Sequence, residues 1–96
     1  MGHACELETS LMLSHRPELV RRERAEPDAP AEISPFETKD MFAPGAVSVT
    51  KPFKEISRHG GFGDPTTASA EKGKLILAAI LARLVEVIRQ IQSGAL

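Results

Sequence analysis

Between about residue 67 and residue 92, apolar side chains recur at three- and four-residue spacing: Leu77, Ile80, Leu81, Leu84, Val87, Ile88 and Ile91. That period lines one face of an α-helix, and Arg83, Glu86, Arg89 and Gln90 fall on the opposite side, toward water. Thr67 or Ser69 can supply the N-cap, Glu71 sits where the helix dipole favours an anion, and Gly94 follows the last turn as a stop signal. Gly73 costs this helix about 1 kcal/mol relative to alanine, so its presence points to close packing of that turn against another element. A second apolar block, Leu11, Met12 and Leu13, predicts a shorter helix over about residues 5 to 15, closed by Pro17. Leu19 and Val20 follow, and the charged run Arg21, Arg22, Glu23, Arg24 reads as a solvated helix end or turn.

The stretch between these helices breaks both patterns. Residues 25–66 hold Pro27, Pro30, Pro35, Pro44 and Pro52, along with Pro65 and a cluster of glycines, and cannot sustain a helix. Weak alternation with β-branched residues at 46–50 predicts one short strand, and residues 53–56 offer a second. So long a loop in a small domain suits a segment that packs on a larger body. The expected architecture is thus a single partial domain, residues 1–96, of two helices joined by a Pro/Gly-rich loop with one or two strands.

Composition narrows the classes of function. Ninety-six residues, 42% hydrophobic and 26% charged, make one small soluble domain. Twelve basic and thirteen acidic residues nearly cancel, so no global field draws in nucleic acid or an anionic membrane. The longest apolar run, residues 75–82, is far below the roughly 20 residues of a membrane-spanning helix. One cysteine, Cys5, excludes an intrachain disulfide, which favours a reducing, cytoplasmic compartment. Four phenylalanines with no tryptophan or tyrosine leave little bulk for a core. A chain so short and so poor in large apolar residues is expected to pack against copies of itself or against more of the same protein.

The polar residues best placed for chemistry are His3, Glu6 and Glu8. An imidazole and two carboxylates within six residues suit a hydrolytic metal ion or an activated water. On a continuous helix Glu8 lies about 140° from His3, so the three converge only if His3 is on a loop entering the helix. First-turn glutamates equally serve the helix dipole. Cys5 reads as a small buried residue rather than a nucleophile, and His15 as a surface residue complementing the helix end. The run Ser57-Arg58-His59-Gly60-Gly61-Phe62-Gly63-Asp64-Pro65 is either a loop whose amides approach a ligand or a turn ahead of the long helix. It lacks the lysine of a phosphate-binding loop.

Two of these stretches together resemble the creatininase (creatinine amidohydrolase) family. Gly2-His3-Ala4-Cys5-Glu6-Leu7-Glu8-Thr9-Ser10, followed by Arg16-Pro17-Glu18-Leu19-Val20, is similar to that family's His-Ala-Gly-Glu-x-Glu-Thr-Ser motif and its Arg-Pro-Glu-Leu-Val segment. Gly61-Phe62-Gly63-Asp64-Pro65, with Ala70-Glu71-Lys72-Gly73 beyond it, resembles the family's Gly-Val-x-Gly-Asp-Pro turn and Ala-Glu-Lys-Gly helix start. The chain departs from the pattern at Cys5, where the family has glycine, and at Phe62, where it has a small aliphatic residue.

The resemblance implies an α/β layered fold and a metal-dependent amidohydrolase, homo-oligomeric and hexameric in similar proteins. In such enzymes a metal-activated water attacks the C–N bond of a small amide such as creatinine. By position His3 matches the catalytic histidine that assists proton transfer to the leaving nitrogen. Glu8 matches the motif's invariant glutamate and Glu6 its variable one, so Glu8 ranks ahead of Glu6 for ligating or orienting a divalent metal, zinc, manganese or iron. The family's amino-terminal half, which carries most of the metal ligands, has no counterpart here. The expected role is that of a carboxy-terminal portion, inactive by itself. The competing expectation is a noncatalytic oligomerisation or interaction module whose glutamates merely cap.

Overall fold

The computed structural model describes residues 2–28, 34–38, 40 and 42–96; Pro30 lies outside the described residues. The described residues form, in chain order, the α-helices α1 (Glu6–His15), α2 (Phe53–Ile56) and α3 (Ala70–Ser93), with single 3-10 turns at Pro17–Leu19 and Arg22–Arg24. The molecule is flat, 47 × 37 × 19 Å.

α1 starts where Cys5 caps it. The Cys5 N–H donates to Glu8 Oε2 at 3.1 Å, which satisfies one of the amides that a helix start leaves without a partner. The chain reaches that cap through Ala4, whose φ of 49° is left-handed, a conformation costing a residue with a Cβ roughly 1–2 kcal/mol. This kink turns the extended backbone at His3 into the helix. α3 begins at Ser69, whose Oγ accepts from the Lys72 N–H at 3.2 Å, and ends at Gly94 in the left-handed conformation, φ 73°. Of the two N-cap candidates Ser69 fills the role, and Thr67 stands in the preceding turn.

The two long helices cross where the sequence placed a glycine. A Cβ at Gly73 would overlap the Ser10 carbonyl oxygen and approach Ser14 Cβ to 2.9 Å. Ser10, fully buried, accepts through Oγ from the Ser69 N–H at 3.2 Å. Around this crossing lies the core: Cys5, Leu13 and Ala68, all small or medium in size. Arg22 Nη2 ties the 3-10 turn to the start of α3 by donating to the Ala68 carbonyl at 3.3 Å. Beyond the crossing α3 runs on with no covering element among the described residues. With a 1.5 Å rise, its 24 residues span roughly 36 Å against roughly 15 Å for the ten of α1. Leu81, Leu84, Val87, Ile88 and Ile91 accordingly remain about half exposed.

The strand expectations are corrected. Residues 46–50 form no ladder among the described residues, and Val47 and Val49 are 51% and 56% exposed; the Val47 N–H donates to the Phe36 carbonyl at 3.1 Å. Alternation alone does not make a strand when no second edge takes its hydrogen bonds. Residues 53–56 are helical because Pro52 sets the helix entry and the Ser57 N–H closes the turn on the Phe53 carbonyl at 2.9 Å. Extended pairing among the described residues occurs instead as two isolated antiparallel bridges, His3 with Phe62 and Asp28 with Gly63.

Candidate active site

His3 lies on the segment entering α1, held from two directions. Its N–H donates to the Phe62 carbonyl at 2.8 Å and its carbonyl accepts from the Phe62 N–H at 2.7 Å. Its ring stands edge-on to Phe53, centroids 5.5 Å apart at 89°, a favoured aromatic geometry. The imidazole borders a cleft of about 830 Å³ lined by Gly2, Val47, Phe53, Phe62 and the acidic Glu37 and Asp40. An exposed imidazole at the mouth of a cavity of that size is placed to exchange a proton with a bound small molecule.

The glutamates point to different partners. Glu8 is bonded back to the helix start: besides the Cys5 N–H, the Cys5 thiol lies 3.6 Å from Oε2. Partial burial pushes its pKa up, but bonds from its own amide and from Cys5, together with the charge of nearby His3, outweigh that and leave it below the ordinary carboxylate range. Glu6 pairs across the helix crossing with Lys72, whose ammonium lowers its pKa against a smaller desolvation effect. Lys72 also donates to the Thr67 carbonyl at 2.7 Å. His3 and Glu8 are thus electrostatic neighbours, and Glu6 serves the α1–α3 contact. Among the described residues no three His, Cys, Asp or Glu side chains converge as a metal ion requires. The donor set of the described residues does not by itself fit a metal centre.

The glycine-rich run ahead of α3 spends its amides internally. Asp28, 5% exposed, accepts from the Arg58 N–H at 3.0 Å, the His59 N–H at 2.6 Å and the Ser57 hydroxyl at 2.9 Å. The Gly60 N–H goes to Ser57 Oγ at 2.7 Å and the Gly63 N–H to the Asp28 carbonyl at 2.7 Å. Of the two readings of this run, the structure supports the turn. Gly63 has φ 141°, and a Cβ there would meet Cys5 Cβ at 2.6 Å, so only glycine lets this edge lie against the α1 cap. Asp64 closes the run by accepting from the Thr66 N–H at 2.8 Å. Cys5 is buried, as its size suggested. His59 pairs at the surface with Glu26, Nε2 to Oε1 2.7 Å.

Sequence reasoning missed Asp28, Phe53 and Phe62 as neighbours of the site. The one available signal for Asp28 was an acidic residue between two prolines, upstream of a donor-rich turn.

The sequence pattern of the creatininase family, described as creatinine amidohydrolase, matches residues 1–88. The chain belongs to the creatininase family. Among solved structures, a creatinine amidohydrolase assignment from Bacteroides fragilis NCTC 9343 is 27% identical, with a TM-score of 0.71 over 92% of this chain and 33% of that one. A tryptophan-to-phenylalanine mutant creatininase is 30% identical, with a TM-score of 0.62 over 90% and 30%. A glutamate-to-glutamine mutant creatininase described as Zn–Zn type matches at the same identity and TM-score. The chain therefore spans about a third of the length of these relatives. No curated protein matches the sequence.

Proposed function

We propose that this chain is the carboxy-terminal portion of a metal-dependent amidohydrolase that cleaves the C–N bond of a small amide. The observation that carries the reading is the family match over residues 1–88 together with His3 at the edge of a substrate-sized cleft. In hydrolysis of an amide, the bond to nitrogen breaks only as that nitrogen gains a proton, since an amide anion is too basic to leave. His3 supplies that proton and regains one from the attacking water. Phe53 fixes the ring, and Glu8, its pKa lowered, keeps a negative charge near it.

A divalent metal in this family supplies Lewis-acid activation of water. The Zn–Zn type relative supports zinc, with manganese and iron as alternatives of similar ligand taste. The described residues form no three-ligand cluster, so most of the metal's ligands are assigned to the part of the α/β layered fold that this chain does not cover, with Glu8, and after it Glu6, as this chain's contributors to holding or orienting it. The reading includes a cytoplasmic, homo-oligomeric enzyme. A second reading, an assembly module without catalysis, draws on the apolar face that α3 leaves uncovered.

The test compares hydrolysis of creatinine and of a formamide by this chain and by a longer chain read through any in-frame coding sequence upstream, each with and without Zn²⁺ or Mn²⁺. Turnover confined to the longer, metal-loaded chain is expected. An inert, stably folded oligomer with no upstream extension contradicts the enzyme reading and leaves the assembly module.

A further inference from the structure

We propose that Asp28 is the positioning residue for His3, one residue that anchors both of the contacts by which His3 is held, the first through its backbone and the second through its carboxylate. The inference rests on His3 being the proton-transfer group of the proposed amidohydrolase.

Two separate arms reach His3, and both are fastened at Asp28. The first is backbone. Phe62 pairs with His3 by two hydrogen bonds of 2.8 and 2.7 Å, and the next residue, Gly63, pairs with Asp28 by two more, of 2.9 and 2.7 Å. The 62–63 segment is thereby stitched between the chain at His3 and the chain at Asp28. Gly61 completes the fit: a Cβ there would lie 3.7 Å from the His3 carbonyl oxygen and 3.8 Å from Asp28 Cβ. The second arm is aromatic. Phe53, whose ring meets His3 edge-on, opens α2, a helix of only four residues. One turn is too short to hold its own direction. Its far end is fixed by the Asp28 carboxylate, which takes the Ser57 hydroxyl and the Arg58 and His59 amides directly after the helix.

Asp28 touches neither the cleft nor the imidazole, so its influence on chemistry passes through these arms. Bonds from the Arg58 and His59 amides and the Ser57 hydroxyl, outweighing desolvation, hold its pKa down at about 2. The anchor thus remains a charged acceptor throughout the range in which a histidine works. Asparagine at this position is close in shape but loses the charge and turns one acceptor into a donor facing N–H groups.

The experiment is NMR of the isotope-labelled chain, comparing Asp28→Asn with the unsubstituted protein. The expected result is loss of the cross-relaxation between the His3 and Phe53 rings and a fall of about tenfold or more in exchange protection of the Arg58 and His59 amides, while the His3 and Cys5 amides and the α1–α3 crossing keep their protection. Ser57→Ala, which removes one donor and leaves the carboxylate, is expected to weaken the ring contact partially; it carries the test if Asp28→Asn does not fold. Unchanged His3–Phe53 contacts in either variant once the residue 57–59 amides have lost their protection overturn the proposal. In the active, metal-loaded longer chain, Asp28→Asn is expected to lower kcat by on the order of ten- to a hundred-fold with KM little changed. Hydrolysis that survives His3→Ala defeats the catalytic reading instead, whereas loss with His3→Ala but not with Asp28→Asn defeats only the positioning role.

Discussion

At Gly73 the absence of a side chain decides how close two helices come. A methyl group there would occupy the space of the Ser10 carbonyl, and backbone cannot swing aside as a flexible side chain can. Gly73→Ala therefore gains helix propensity yet is expected to destabilise the fold by about 1–3 kcal/mol, read as a lowered thermal midpoint. A rise in the midpoint would mean that the crossing is looser than described. Ser10→Ala leaves the Ser69 amide without its partner and is expected to cost about 1–3 kcal/mol by the same measurement. Gly73 was legible in the sequence because a glycine inside a helix carries a local cost that only packing repays. Asp28 was not, since its partners lie 29 to 31 positions away and no local pattern links them. Its depressed pKa has a consequence in acid. The carboxylate is lower in pKa when folded, about 2 against an ordinary 3.8, so its stabilisation is present above about pH 4 and disappears as pH falls toward 2. Denaturation midpoints followed down this range are expected to fall in the unsubstituted protein and to stay flatter in Asp28→Asn.

Among the elements, α3 shows how far a periodic pattern can be trusted. The three- and four-residue spacing gives a helix whatever covers it, because the hydrogen bonds are local, and the observed Ala70–Ser93 starts three residues after the expected boundary and ends one beyond it. What the spacing could not convey is the uneven cover. Only Gly73 of α3 is buried, and the apolar face past the crossing has no neighbour among the described residues. Amides of the last three turns of α3 are expected to exchange with solvent markedly faster than those around residues 73–77, since packing rather than propensity holds most helices. Uniform protection along the helix would show that another surface covers it in solution. The residue 46–50 segment teaches the converse: its alternation was readable, but a strand needs a partner edge, and that partner is a property of the fold rather than of the segment.

For the molecule as a whole, the two motifs carried more than any pattern of hydrophobicity. Composition and spacing gave a small chain with a poor core, and the core of Cys5, Leu13 and Ala68 bears that out. Membership of the creatininase family came from motif residues at the two ends of the His3–Phe62 bridge, which the fold brings together from opposite sides of the proline-rich stretch. The placement of His3 on a loop entering α1 followed from helix geometry, while its clamping by Phe53 and Phe62 did not, because the two contacts cross 50 and 59 positions of chain. The central claim is that His3 moves the proton that lets the amide nitrogen leave. Its most direct test is steady-state hydrolysis by the metal-loaded longer chain carrying His3→Ala. The account predicts a kcat lower by on the order of 10²- to 10⁴-fold, with metal content and thermal midpoint retained; a kcat that stays where it was would contradict it.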